Sequence, residues 1–381
     1  MNIKYVTDVR IPTPRAQGYA IMKMCSEFTR AGAEVELFVP ERGNNQNKQD
    51  PFDFYGIEKN FYIKRIPSFD FLGKTPRSSK ILYWLDVLSF VAVSKFLVNL
   101  KTEDILYTRD FIIPLFFSKR FFMVLELHSI PRSKFLFNLS LKKTKLFVVL
   151  NSSLKNILVD MGISDKKILI SPSGVDLNHF GNFTDDFKIK GISENDFVYG
   201  YIGMLKTMGM EKGVASGLQA LKELPSEYKF LVVGGEKPDV EYYRNLSNKL
   251  GVSDRAIFVG RVPYSDVSKY ASKCNAFVAP FPENEHYSLF MSPLKIFEYM
   301  ASKKPIIATD LPSLREVLTD GRNSLLVPPG DARALAYAIV KLKENPDIGN
   351  KMADKAYLDV SEKYTWKIRA EKIISFIKLN S

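Results

Sequence analysis

Short runs of Val, Ile, Leu, Phe and Tyr alternate along this chain with longer stretches whose apolar residues recur every three or four positions. The runs read as buried strands and the periodic stretches as helices packed by one face. In the first half, strands are predicted at 3–7, 35–39, 104–108, 121–126, 145–150 and 167–170. Helices are predicted at 20–31, at 80–100, and from an Asn151 cap through Met161; residues 8–18 read as a loop rich in Pro, Arg and Gly. Residues 40–75 mix polar and aromatic residues and show no clear element. In the second half, strands at 197–202, 229–233, 256–259, 276–279, 306–308 and 324–327 alternate with helices at 212–224, 239–250, 264–274 and 312–318. Residues 331–342 and 352–378 end the chain helically. Such alternation predicts an α/β protein, with parallel sheets covered by helices on both faces. A length of 381 residues allows two or three domains.

Composition adds little, at 46% hydrophobic and 25% charged residues, but the net charge of +12 calls for an anionic partner. Nucleic acid, an anionic membrane face and anionic substrates all satisfy it. Basic and aromatic residues interleave over 111–147 without a nucleic-acid-binding motif, so no nucleic acid is expected. Lysines snorkelling over a core explain that segment, and contact with an anionic membrane surface is the second reading. Cys25 and Cys274 have no metal-ligand spacing and fit a reducing compartment. The N-terminal residues run into a strand without a secretory h-region. The most hydrophobic stretch, 81–100, is interrupted by Asp86 and Lys95, so no membrane span is expected. A cytoplasmic protein follows, in solution or peripheral on the cytoplasmic membrane face.

Candidate chemistry concentrates in 281–312. Ser292 suits an N-cap and Pro293 the first helical position, with Leu294, Phe297 and Met300 forming the apolar face. A helix N-terminus facing a cleft attracts phosphate. Glu298, further into the same largely apolar helix, either reaches solvent or takes donors such as the paired hydroxyls of a ribose. No Asp-x-Asp in a suitable loop is present, and neither metal nor cofactor is expected.

The stretch SPLKIFEYMASKKPIIATDLPSLREVLTDGRNSLLVPPGD resembles the donor-binding segment of family 4 glycosyltransferases, retaining group 1 enzymes of GT-B fold. That resemblance implies two facing Rossmann-like doubly wound parallel-sheet domains with a C-terminal helix crossing back to the first. The expected bounds are 1–180 for the acceptor domain, 181–196 for a linker, 197–362 for the donor domain and 363–381 for the returning helix. The motif Glu126-Leu127-His128 resembles the family's strand end and places His128 beside the transferred sugar. Lys212 matches a family lysine for the donor pyrophosphate, so His128, Glu298 and Lys212 are the candidate catalytic residues. Donor contacts extend by the same likeness to Gly203, Lys206, Arg261, Val262, Ser292, Pro293 and Leu294. Acceptor contacts fall on Arg15, Gln17, Gly18 and Arg109, although Gly18 serves equally well as a turn glycine.

Three positions depart from the family pattern: Phe290 replaces the first of two glutamates, Gln17 the first of two adjacent glycines, and Met204 an arginine, for which Lys206 is the expected substitute. The implied activity is metal-independent transfer of a sugar from a nucleoside-diphosphate sugar to a glycan or lipid-linked acceptor, with retention. Without a glutamate at 290, a same-face reaction is expected over double displacement. A GT-B nucleotide-sugar epimerase or hydrolase, and a noncatalytic nucleotide-sugar-binding protein, are the alternatives.

Overall fold

The computed structural model describes residues 1–381 apart from 43–48, 72–78, 180–186 and 208. Two compact units result: Met1–Pro172 with Trp366–Ser381, and Ser173–Thr365. Of the expected linker, 181–186 lies outside the described residues and 187–196 carries no regular element.

Among the described residues unit 1 holds seven strands, β1 (Asn2–Val6), β2 (Glu34–Glu41), β3 (Tyr62–Pro67), β4 (Asp104–Thr108), β5 (Phe122–Leu127), β6 (Leu146–Val149) and β7 (Ile168–Ile170). They form one parallel sheet in the order β3-β2-β1-β4-β5-β6-β7, with Ile3 opposite both Val35 and Ile105. Strand β4 is buried throughout, as a central parallel strand must be. Strand β3 and the helix Pro51–Tyr55 occupy the stretch where no element was expected. As an edge strand, β3 buries little and carries Lys64 and Arg65, so it lacks the apolar run that betrays inner strands. The first helix, Ala16–Arg30, starts four residues before the predicted one. Asn151 caps Ser152–Asp160 as expected, accepting from the Leu154 N–H at 3.0 Å.

Unit 2 contains β8 (Phe197–Ile202), β9 (Lys206–Thr207), β10 (Met210–Glu211), β11 (Tyr228–Val233), β12 (Ala256–Gly260), β13 (Ala276–Ala279), β14 (Ile306–Thr309) and β15 (Leu325–Val327). Six of them form a sheet ordered β12-β11-β8-β13-β14-β15, and β9 pairs with β10 in a separate antiparallel hairpin. Along β8, Tyr199 and Tyr201 enter one core while Val198 and Ile202 enter the other, the period of two expected of a strand buried on both faces.

The helix predicted over 352–378 is interrupted. Pro346–Lys363 stops where Tyr364 leaves helical geometry and its carbonyl accepts from the Val175 N–H at 3.0 Å. Trp366–Asn380 then packs in unit 1, with Trp366 edge-on to Tyr19 at 6.4 Å.

Candidate functional site

In unit 2 the chain lays β11 and β12 on one side of β8, then places β13, β14 and β15 on the other. Strand order therefore reverses between β8 and β13, and ligands enter open α/β sheets at the carboxyl ends of strands at such a point. Glycines let the loops there approach. Gly213, at φ +87°, lies so close to Pro280 that a Cβ would come within 1.7 Å of its carbonyl oxygen. Gly234 meets the Gly203 carbonyl in the same way, at 2.4 Å. Lys212 precedes Gly213 and is half-buried, which lowers its pKa. Its neighbour Glu211 is braced from both sides: its carbonyl accepts from the Tyr287 hydroxyl at 2.8 Å, its carboxylate from the Tyr243 hydroxyl at 3.2 Å.

The loop after β8 contains the β9–β10 hairpin. Lys206 lies 3.7 Å from Asp239 and 4.1 Å from the centre of the Tyr242 ring, so it already has an anionic and an aromatic neighbour. Met204 is exposed, and its carbonyl accepts from the Tyr201 hydroxyl at 2.7 Å.

The helix after β13 runs Leu294–Ala301, one residue later than expected. Pro293 occupies the cap position in extended geometry, and Ser292 does not cap the helix. The Ser292 hydroxyl instead accepts from the Ser173 N–H, and its carbonyl accepts from the Ser173 hydroxyl, both at 3.0 Å. Proline's fixed φ and an extended ψ move Ser292 out of reach of the helical N–H groups. Phe290 ends a turn of π-helix, His286–Phe290, and is half-buried.

Glu298 accepts from the Tyr264 hydroxyl at 3.3 Å, and the Tyr264 ring stacks on His179 at 4.1 Å. Burial raises the Glu298 carboxyl to about 7, against the opposing pull of Tyr264 and Lys295. Arg261 is exposed and 3.3 Å from Glu236, with Val262 half-buried beside it.

Sequence reasoning missed Lys295, Tyr264, Tyr287 and Tyr299. Tyr299 ties the helix to β8, its hydroxyl accepting from the Ile202 N–H at 2.9 Å. A signal existed for Lys295: it precedes Tyr299 by four residues, so the two share a helix face that the apolar neighbours bury.

In unit 1 strand order reverses between β1 and β4, and the loops beyond them carry most of the remaining candidates. Glu126, at the end of β5, is 3% exposed and gathers a buried cluster. It accepts from Arg369 at 2.9 Å, from His128 Nε2 at 2.6 Å and from the Tyr107 hydroxyl, with Arg109 at 3.7 Å. Burial alone would raise its pKa, but Arg369, with His128 and Arg109, holds it well below the usual carboxylate range. Arg109 also donates to His128 Nδ1 at 2.7 Å. A guanidinium only donates, so Nδ1 accepts and Nε2 carries the proton given to Glu126. Burial and Arg109 lower His128 to about 4, so it is neutral with both ring nitrogens engaged. Arg15 and Gln17 are exposed at the start of the first helix. Gly18 lies inside that helix rather than in a turn: a Cβ there would come within 2.2 Å of the Tyr55 hydroxyl. That hydroxyl in turn bonds both the N–H and the carbonyl of Thr13, at 2.7 Å each.

Two doubly wound parallel sheets, the second with glycine-lined loops at its switch point, define the GT-B class of fold. Sucrose-phosphate synthase from Thermosynechococcus elongatus shares this fold at a TM-score of 0.76, with 19% identity over 99% of this chain and 98% of that one. Anabaena HepE, solved in complex with UDP, does so at 0.70, with 18% identity over the whole of both chains. Residues 196–345 match the model of glycosyl transferases group 1. The phosphatidyl-myo-inositol mannosyltransferase of Mycobacterium leprae is 30% identical over 166 residues, 43% of this chain and 42% of that protein. The chain spans about half the length of the curated relatives it matches.

Proposed function

We propose that the protein is a retaining glycosyltransferase of the family 4 type, moving a hexose-type sugar from a nucleoside-diphosphate sugar to a glycan or lipid-linked acceptor. The observation that carries this reading is the unit 2 switch point, where Lys212 and close-packed glycine backbone meet a helix that also bears Glu298. The UDP held by HepE and the lipid named for the mycobacterial relative support the donor and acceptor classes.

In this reading Glu298 accepts hydrogen bonds from the ribose, with the base along Arg261 and Val262. Gly203, Lys206, Lys212 and the segment Ser292–Leu294 serve the diphosphate. Breaking the sugar–phosphate bond leaves negative charge on the outer phosphate, and preorganised cations and amides lower the barrier by stabilising it. Charge-assisted hydrogen bonds of about 1.5–3 kcal/mol each and a helix end of about 0.3–2 kcal/mol supply on the order of 5 kcal/mol without a metal. The acceptor hydroxyl attacks the anomeric carbon on the face the phosphate leaves, and the departing phosphate takes its proton. Phe290, an apolar ring where a carboxylate nucleophile would stand, favours this same-face route.

His128 serves as a neutral contact for the sugar, with Arg15, Gln17, Gly18 and Arg109 on the acceptor side. His128 is not the proton acceptor, because both ring nitrogens are engaged. A cytoplasmic protein peripheral on the membrane suits a lipid-linked acceptor. Its support is the helix Lys80–Leu97, which exposes Ile81, Trp84, Leu85 and Leu88 along one stripe. Among the described residues no helix is long and apolar enough to cross a membrane.

The test is product analysis with a panel of sugar nucleotides, lipid-linked and soluble acceptors, and a chelator throughout. A retained linkage formed only when donor and acceptor are both present supports the reading. Turnover of donor alone indicates an epimerase or hydrolase, and binding without turnover a noncatalytic protein.

A further inference from the structure

Lys295 is the second residue of the helix Leu294–Ala301 and is 7% exposed. Its Nζ is buried and has no hydrogen-bond partner among the described residues. The stem packs on the Gly203 backbone: a Cβ placed on that glycine would lie 3.4 Å from Lys295 Cε and 3.6 Å from Nζ. Nζ sits 3.6 Å from the centre of the Tyr201 ring and 5.0 Å from that of Phe281. Aromatic faces ease a cation's burial but do not replace the hydrogen bonds it lost on leaving water. A lysine held this way is an expensive arrangement unless something else completes it.

The position of Lys295 says what would complete it. Tyr201 and Gly203 lie at the carboxyl end of β8 and Phe281 just beyond that of β13, so the ammonium stands at the switch point itself. Lys212 approaches from the loop after β8, close enough that its charge opposes protonation of Lys295. Two lysines, one from the loop after β8 and one from the first turn of a helix, call for a ligand with more than one negative charge. Of the two other charged side chains concerned, Glu298 favours the charged form but makes no hydrogen bond to Lys295, and Lys206 is turned toward Asp239.

We propose that Lys295 is a diphosphate-binding residue, sharing with Lys212 the anion that enters at the β8–β13 switch point. This rests on the nucleotide-sugar reading above and adds a buried cation to the lysines already assigned there. In the empty protein, burial and Lys212 press Lys295 toward its neutral amine, and an arriving diphosphate restores the charge. The residue therefore burdens the empty protein and helps only the occupied one.

The experiment compares wild type, Lys295→Met and Lys212→Met by calorimetric titration with UDP, GDP and ADP and the matching monophosphates. Each empty protein is also melted. For the diphosphate that wild type prefers, Lys295→Met is expected to lose roughly ten- to a hundred-fold in affinity. Its loss for the monophosphate should be clearly smaller, and its melting temperature when empty should rise. A rise in stability shows that the variant folds, so the binding loss cannot be charged to misfolding. Unchanged diphosphate affinity, equal losses for mono- and diphosphate, or a lowered melting temperature would overturn the assignment while leaving the enzyme reading in place. If wild type binds none of the three diphosphates, the reading and the assignment fall together.

Discussion

Replacing Arg369 by Met should destabilise unit 1 far more than its place near the chain's end suggests. Arg369 is 4% exposed and Glu126 3%, and their contact at 2.9 Å is the shortest the guanidinium makes to an anion. The same side chain donates from Nε to the Pro172 carbonyl at 2.9 Å, closing the last helix onto the segment that ends unit 1's sheet. Methionine fills much of the space but leaves Glu126 ionised and buried, with only Tyr107, His128 and a more distant Arg109 to compensate. Removing one partner of a buried pair costs about 3–5 kcal/mol, or roughly 10 °C in the midpoint of a unit this size. Pairing the change with Glu126→Gln removes the stranded charge, so the double variant should recover much of that loss. The assay is urea denaturation of both single variants and the double, with amide exchange reporting on Trp366–Asn380. An Arg369→Met cost below about 1 kcal/mol, or a double variant as unstable as the sum of the singles, would refute the reasoning.

Three further outcomes follow from the same geometry. Because the folded state depresses both His128 and Glu126, the unfolded chain binds more protons as the pH falls. Unit 1 should therefore lose stability between about pH 6.5 and 4 through His128, and further below as Glu126 is protonated, read from unfolding midpoints across pH. Glu298, raised to about 7, has to be ionised to accept from two hydroxyls, so donor affinity should weaken as pH drops below about 7, and Glu298→Gln should remove this dependence along with roughly ten- to a hundred-fold in affinity. Gly213→Ala meets both a left-handed φ and the Pro280 carbonyl and should cost about 3 kcal/mol or more, measured by thermal melting.

Most of the fold was legible because inner parallel strands advertise themselves. Asp104–Thr108, Phe197–Ile202 and Ala276–Ala279 match their predicted bounds, since each is a compact run bounded by polar or turn residues. Strand β3 was not legible: an edge strand is selected for charge and solvent contact, which erases the pattern. The periodicity of 352–378 did not mark the break at Tyr364–Thr365, where the Tyr364 carbonyl accepts from Val175, far away in sequence, although the resemblance set a boundary at 363. The same distinction governs the site. Glu298 stood out as a carboxylate on a largely apolar helix, and Lys212 could be named only through the family resemblance. The pairings that determine what they can do, Tyr264 to Glu298 and Tyr287 to Glu211, come from loops that only the folded sheet brings together. Ser292 illustrates the opposite error. Its sequence context is that of a cap, yet Ser173, 119 positions away, claims its hydroxyl.

The two switch points differ in chemistry, and the difference bears on which substrate each serves. In unit 2 the groups that converge are lysines and backbone, suited to a polyanion. In unit 1 the corresponding loops bring together two carboxyl groups, Asp8 and Asp110, the Asp8 N–H donating to Asp110 Oδ2 at 3.0 Å. Burial and the neighbouring Asp110 raise the Asp8 carboxyl well above its usual range, against the opposing charge of Arg42. A diphosphate brought there would meet two carboxyl groups it could not pair with, and one guanidinium, Arg42, already engaged with the Asp8 carbonyl at 3.4 Å. A carboxyl held toward its protonated form, as Asp8 is, offers a donor as well as acceptors at close range, which is what neutral hydroxyl groups require. The carboxyl pair, with Arg42 beside it, fits the acceptor site proposed above for unit 1 and differs in chemistry from the lysines of unit 2. Asp110→Asn is the sensitive probe: it should return Asp8 toward an ordinary carboxylate and weaken acceptor use at constant donor affinity, whereas an equal loss on donor and acceptor would contradict the division.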